Sequence, residues 1–147
     1  MRLLIDTWGW YTLGNIRELR HKKVKTFYAQ SRQAGSVIYT TDYILDETIT
    51  LLYRRISGFT ARSFTQGIMI AIERGFLRLE EITSSRFKRA WELRQRFHDK
   101  PTISFTDLTS FVVMQDLRLS HVLTDDAHFS QIGMGFQIFP RRSEKRQ

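Results

Sequence analysis

Arg2-Leu3-Leu4-Ile5-Asp6-Thr7 is a short aliphatic run cut off by a carboxylate. Three aliphatic residues in succession, with no polar alternation, fit a strand covered on both faces. Two later stretches share that character: Ser36-Val37-Ile38-Tyr39-Thr40, which is rich in β-branched residues, and His121-Val122-Leu123-Thr124, which runs into Asp125-Asp126. Phe76-Leu77-Arg78-Leu79 and Phe136-Gln137-Ile138-Phe139 read as two further short strands. The segments between them have helical character. Glu18 to Ala34 is charged and closes at Gly35. Asp42 to Ser57 carries Leu45, Ile49, Leu52 and Ile56 on one face. A helix capped by Thr60 is expected to run to Arg74 and close at Gly75. Ser84 to Phe97 is basic and amphipathic, whereas Ser104 to Leu119 is mostly apolar and so expected to be buried. Buried strands alternating with helices predict an α/β fold with a parallel sheet covered on both faces. Ligands of such sheets bind beyond the carboxyl ends of the strands.

Length and composition bound the chemistry. At 147 residues the chain is expected to form one domain, residues 1–140, followed by a basic tail, residues 141–147, that frays. There is no cysteine, which removes disulfides, thiolate zinc sites, iron–sulfur clusters and thiol nucleophiles together. Net charge is +8 and the pI about 10.2, an excess of base that points to an anionic partner, nucleic acid before membrane. Arginines far outnumber lysines, and arginine grips phosphate bidentately. Asp6 interrupts the first apolar run too early for a signal peptide, and no stretch is long and apolar enough to span a bilayer. A cytoplasmic protein with no membrane partner is expected.

The scarce acids fall in informative places. Asp6 follows the first strand, and Asp125 and Asp126 follow the strand ending at Thr124. In a parallel sheet those ends share one edge. Asp107 lies in the first turn of the buried helix, and Glu47 one turn into the helix after the second strand. Each acid also has a structural reading. Asp6 can serve as an N-cap, and Ser104 with Asp107 has capping-box spacing. Asp46 and Glu47 point about 100° apart on a helix, so at most one faces a shared site. Asp125 or Asp126 can cap a turn. Their joint convergence is the signal. Clustered carboxylates repel one another and persist where a divalent cation neutralises them. Oxygen ligands without cysteine or a paired histidine suit Mg²⁺ or Mn²⁺. Such a cation beside a basic surface suits phosphodiester hydrolysis.

These residues resemble the motifs of the PIN-domain ribonucleases. Leu4-Ile5-Asp6-Thr7 resembles the family's opening motif, and Thr41-Asp42-Tyr43-Ile44-Leu45-Asp46-Glu47-Thr48 its second, with Glu47 as the family acid. Ser104-Phe105-Thr106-Asp107 resembles the third. Leu123-Thr124-Asp125-Asp126-Ala127-His128-Phe129 resembles the fourth, in a frame that places the acid at Asp126 and leaves Asp125 at the variable position. Gly135-Phe136 to Pro140 resembles the usual end of the domain. The motifs span the chain in order, and its length is similar to that of the VapC-like toxins of bacterial and archaeal toxin–antitoxin pairs. The resemblance implies a three-layer α/β/α sandwich around a mainly parallel sheet of about five strands. It implies a Mg²⁺- or Mn²⁺-dependent endoribonuclease, a homodimer, and inhibition by a cognate antitoxin. It also implies that Asp6, Glu47, Asp107 and Asp126 are the catalytic, metal-holding acids, with Asp125 as a substitute for Asp126. Thr7 and Thr106 would support those carboxylates.

Basic segments around Arg17, Arg20 and Lys22, and around Arg54 and Arg55, are candidate RNA-phosphate contacts, although a solvated helix face is the plainer reading of any one of them. Trp8, Trp10 and Tyr11 can stack on a base, pack in the core or form a protein interface. His21, His98, His121 and His128 lack the i, i+4 spacing of a helical metal pair, so a catalytic histidine is not expected. Three alternatives remain open. One is a catalytically silent module that binds RNA or antitoxin. Another is a solitary PIN nuclease of RNA processing. The third is a receiver-like signalling domain, disfavoured because Asp6 stands alone after its strand.

Overall fold

A computed structural model of the chain describes residues 1–142. The remaining part of the expected basic tail, 143–147, lies outside the described residues. In chain order the elements are β1 (Arg2–Ile5), α1 (Thr7–Gly14), α2 (His21–Gln33), β2 (Val37–Thr41), α3 (Asp42–Arg55) and α4 (Gly58–Glu73). They continue with β3 (Arg78–Glu80), α5 (Ser84–Arg96), α6 (Phe105–Leu117), β4 (His121–Leu123), α7 (His128–Gln131) and β5 (Gln137–Phe139). The strands form a single sheet in the order β3-β2-β1-β4-β5, and every pairing is parallel. Helices cover both faces, giving the three-layer α/β/α sandwich.

The central strand is the one the aliphatic run at the amino terminus predicts. Leu3, Leu4 and Ile5 are wholly buried, flanked by β2 and β4 with Leu4 in register with Tyr39 and Val122. The apolar helix α6 is buried along most of its length, from Asp107 to Met114, and packs against α5. Phe111 of α6 meets Phe129 of α7 edge to face, with ring centroids 4.9 Å apart. The first helix, α1, lies close on the sheet. A Cβ added at Gly9 would come within 2.8 Å of the Leu123 carbonyl oxygen and 2.9 Å of Ile5. Only glycine admits that approach.

Two boundaries depart from expectation for local reasons. The charged segment from Glu18 does not begin a helix. Asn15 accepts from the Arg17 amide at 3.1 Å and donates to the Tyr11 hydroxyl at 3.0 Å, forming an Asx-type turn that separates α1 from α2. The fourth helix is capped by Ser57 rather than Thr60. The Ser57 hydroxyl accepts from the Thr60 amide at 3.2 Å and donates to the Thr60 hydroxyl at 2.8 Å, which places Thr60 inside the first turn.

The strand order fixes where a ligand can sit. From β1, successive strands continue outward through β2 on one side and through β4 on the other. The crevice beyond the carboxyl ends of β1 and β4 is therefore the topological switch point of the sheet. Asp6 and Asp126 lie at that crevice.

Candidate active site

Each acid reaches the crevice by a local rule. Asp6 is the first residue past β1 and occupies the N-cap position of α1, yet its side chain makes no capping hydrogen bond. It is turned instead toward β4, where Asp6 Oδ2 accepts from the Thr124 hydroxyl at 2.9 Å. Its other oxygen, Oδ1, is buried and has no partner among the described residues. Asp107 is held on the first turn of α6, whose N-cap Ser104 accepts from the Asp107 amide at 3.0 Å. The structural reading of this pair as a cap is thus correct for the backbone, and it leaves the Asp107 carboxylate available. Glu47 lies on the second turn of α3, half-buried, while its neighbour Asp46 is exposed. The Thr7 hydroxyl donates to Glu47 Oε1 at 3.0 Å and links α1 to α3.

The loop after β4 separates the two adjacent aspartates. The Asp126 amide donates to the Thr124 hydroxyl at 3.1 Å, and Asp126 Oδ1 accepts from the His128 amide at 2.9 Å. This turn carries Asp126 toward Asp107. Asp125 points away, paired with Arg20 at 2.8 Å and with Arg142 at 2.6 Å. Asp107, Asp126 and His128 each offer one donor atom, and the three atoms lie within 4.8 Å of one another.

The electrostatics follow from this crowding. Burial pushes the Asp107 carboxyl up to about 9, with the neighbouring Asp6, Asp126 and Glu47 charges acting in the same direction. Burial also raises Asp6 to about 6, although the Thr124 hydroxyl and the Thr7 amide oppose the shift. Asp126 and Glu47 contribute to the rise at both Asp6 and Asp107. A positive charge placed among them would remove this repulsion.

The other candidates are dispersed, and of the basic ones only Arg54 is placed beside an acid of the cluster. Thr106 is half-buried on the first turn of α6, and its carbonyl accepts from the Thr109 hydroxyl at 2.6 Å. Arg54 lines a cavity of about 350 Å³ together with Thr7 and Glu47. Arg17 and Arg55 are exposed and line a second cavity of about 430 Å³ between the α1–α2 turn and the end of α3. Lys22 is exposed on α2. Arg20 is not free in the same sense. Besides Asp125, it donates to the Pro140 carbonyl at 3.1 Å and lies 5.2 Å over the Trp8 ring. Trp10 is core, its indole donating to the Thr40 hydroxyl at 3.0 Å.

No family model matches the chain. Among curated proteins, it is 34% identical over 131 residues to the 23S rRNA-specific endonuclease VapC20 of Mycobacterium tuberculosis, an alignment covering 89% of this chain and 94% of that protein. The chain belongs to the VapC family. A VapC ribonuclease of Archaeoglobus fulgidus is 29% identical over 135 residues, covering 88% of this chain and 80% of that one. The crystal structure of M. tuberculosis VapC20, described as a sarcin–ricin loop cleaving toxin, superposes with a TM-score of 0.75 at 32% identity, covering 89% of this chain and 95% of that one. The fold is also shared with VapBC2 of Rickettsia felis, at a TM-score of 0.65 and 15% identity.

Within this VapC chain, sequence spacing gave no reason to include His128. It stands two residues after Asp126 as the first residue of the short helix α7, and its partners Asp107 and Asp126 lie outside that helix, so helical i, i+4 spacing does not apply. The only signal available was its place between Asp126 and the wholly buried Phe129. Among the described residues, no helix is long and apolar enough to cross a membrane.

Proposed function

We propose that the chain is a toxin endoribonuclease that hydrolyses RNA phosphodiester bonds at this acid cluster, using Mg²⁺ or Mn²⁺. The observation that carries this reading is the buried, unpartnered Oδ1 of Asp6 in a group of carboxylates where burial first, and the neighbouring acids second, hold Asp107 protonated. An oxygen-rich donor set with one vacant buried oxygen fits a hard divalent cation. Asp6, Asp107 and Asp126 would hold it, with Glu47 acting directly or through water. When bound, such a cation supplies an activated water and neutralises the charge that develops on the phosphate.

The chain's own residues do the rest. Thr124 and Thr7 fix the rotamers of Asp6 and Glu47 by hydrogen bonds. Ser104 holds the first turn of α6, and with it Asp107. Arg54 shares a cavity with Glu47 and Thr7 and would draw an RNA backbone toward the crevice, with Arg17 and Arg55 lining a separate cavity farther along as further phosphate contacts. The relatives' names make ribosomal RNA the first substrate to test, and a cytoplasmic site of action accords with it. By the same kinship, a cognate antitoxin is the expected inhibitor and a homodimer the expected assembly.

The deciding experiment incubates the chain with purified ribosomal RNA in Mg²⁺, Mn²⁺ or a chelator, alongside Asp6→Asn and Asp107→Asn. Cleavage that needs the cation and falls at least about 100-fold in both variants is expected, since each removes a ligand. Cleavage that survives in both variants would dismiss this site. Mass measurement in solution tests the dimer, and co-expression with the protein encoded beside it tests the antitoxin.

A further inference from the structure

We propose that His128 gives the cation of this cluster a nitrogen ligand, so that the site takes Mn²⁺ in preference to Mg²⁺. The inference rests on the reading of the acids as a metal site and deepens it. His128 Nδ1 lies 2.9 Å from Asp126 Oδ1, and one ring nitrogen of His128 lies within 4.8 Å of a carboxylate oxygen of both Asp126 and Asp107. Nδ1 is shielded from solvent and has no hydrogen-bond partner among the described residues, because its approach to Asp126 lies outside hydrogen-bond geometry. The opposite ring nitrogen, Nε2, lies 3.0 Å from the Thr102 hydroxyl. If Nε2 carries the proton and donates to that hydroxyl, the Nδ1 lone pair faces the carboxylates.

Two facing lone pairs at this separation repel unless something positive lies between them. Donors on adjacent corners of an octahedron, each about 2.1 Å from the ion, stand roughly 3 Å apart, close to the separation seen here. A ligating imidazole whose second nitrogen is anchored by a hydrogen bond is the usual arrangement at metal sites. Thr102 supplies that anchor from the loop that enters α6, the helix that carries Asp107. Mg²⁺ favours an all-oxygen shell, whereas later divalent ions bind imidazole progressively better, and Mn²⁺ accepts both donor types.

The test reads nitrogen directly. The full chain is loaded with Mn²⁺ alone, and electron spin-echo envelope modulation is recorded with natural-abundance and ¹⁵N-histidine protein. Expected are a ¹⁴N modulation that changes with the label, its loss in His128→Gln, and a Mn²⁺ affinity about 10- to 100-fold weaker in that variant. Mg²⁺ affinity, measured by competition, should change less, so that the Mn²⁺ preference shrinks. Thr102→Val keeps the imidazole but removes its anchor. It should retain a nitrogen signal while binding Mn²⁺ more weakly, and it serves if His128→Gln does not fold. Bound Mn²⁺ without nitrogen modulation, or with modulation unaltered by His128→Gln, would overturn the inference and leave the metal site intact. Failure of the unaltered chain to bind Mn²⁺ at all would overturn the metal reading as well.

Discussion

The Thr124 hydroxyl donates a 2.9 Å hydrogen bond to Asp6 Oδ2 while accepting from the Asp126 amide at 3.1 Å. One buried side chain thereby joins the carboxyl ends of β1 and β4 and sets the relative positions of two acids. Thr124→Val, nearly the same shape, removes both bonds. Its expected effect is a loss of about 10- to 100-fold in RNA cleavage and in Mn²⁺ affinity, as for other residues that orient metal ligands. Thr124→Ser should recover most of both. Cleavage rates and Mn²⁺ titrations of the two variants check this.

Asp107 and Asp6 titrate well above the ordinary carboxylate range in the folded, cation-free chain. The folded state therefore binds more protons than the unfolded state, and stability falls as pH rises. The fall begins near the unfolded value of 3.8, continues through about 6 for Asp6, and extends to about 9 for Asp107. Melting temperature in chelator should drop across this window. Added Mn²⁺ should raise it most at the alkaline end, where the carboxylates are ionised. Asp107→Asn should flatten the chelator profile. A chelator profile that rises from pH 5 to 8 would contradict this account.

Asp125 and Asp126 are neighbours with different partners. Asp126→Asn alters the charge facing Asp107 and should lower cleavage at least about 100-fold, as loss of a ligand does. Asp125→Asn weakens pairs with Arg20 and Arg142 that are partly exposed. Such pairs contribute at most about 1 kcal/mol, so cleavage should change only a few-fold. Parallel assays of the two variants separate them.

Gly9→Ala inserts a methyl group against the Leu123 carbonyl and Ile5. Overpacking of this kind costs about 1–3 kcal/mol. Urea unfolding should show that loss without a change in slope. Cleavage should fall as well, because α1 begins at the residue after Asp6.

Neutralising Arg54 and Arg55 together should weaken RNA binding without abolishing metal binding. The plot of log affinity against log salt should lose roughly one unit of slope for each phosphate contact removed. An unchanged slope would mean that both side chains are merely solvated.

The sheet was legible in the sequence because its strands are buried on both faces, and burial selects aliphatic runs such as Leu3-Leu4-Ile5. The acids were legible because a parallel sheet brings strand ends together whatever their sequence separation. The short helix α1 was harder to place. Its residues, Thr7 to Gly14, are mostly apolar or small and give no polar face to read. Ser57 reads as the end of the preceding helix, which leaves Thr60 as the expected cap, three residues late. The motif frame distinguishes Asp126 from Asp125, but the pairing of Asp125 with Arg20 and Arg142 joins separated parts of the chain, and no local pattern carries that information. His128 was passed over because it opens a four-residue helix whose length leaves no room for an i, i+4 partner.

The order of the strands has a consequence for how the protein comes into being. Two of the four acids, Asp107 and Asp126, lie in the last third of the chain, and the pairing of β4 with β1 is what brings Asp126 to Asp6. Any amino-terminal fragment ending before residue 126 lacks a complete set. On the proposed reading, a growing chain therefore has no complete cation site until residue 126 has emerged and the strand before it has docked.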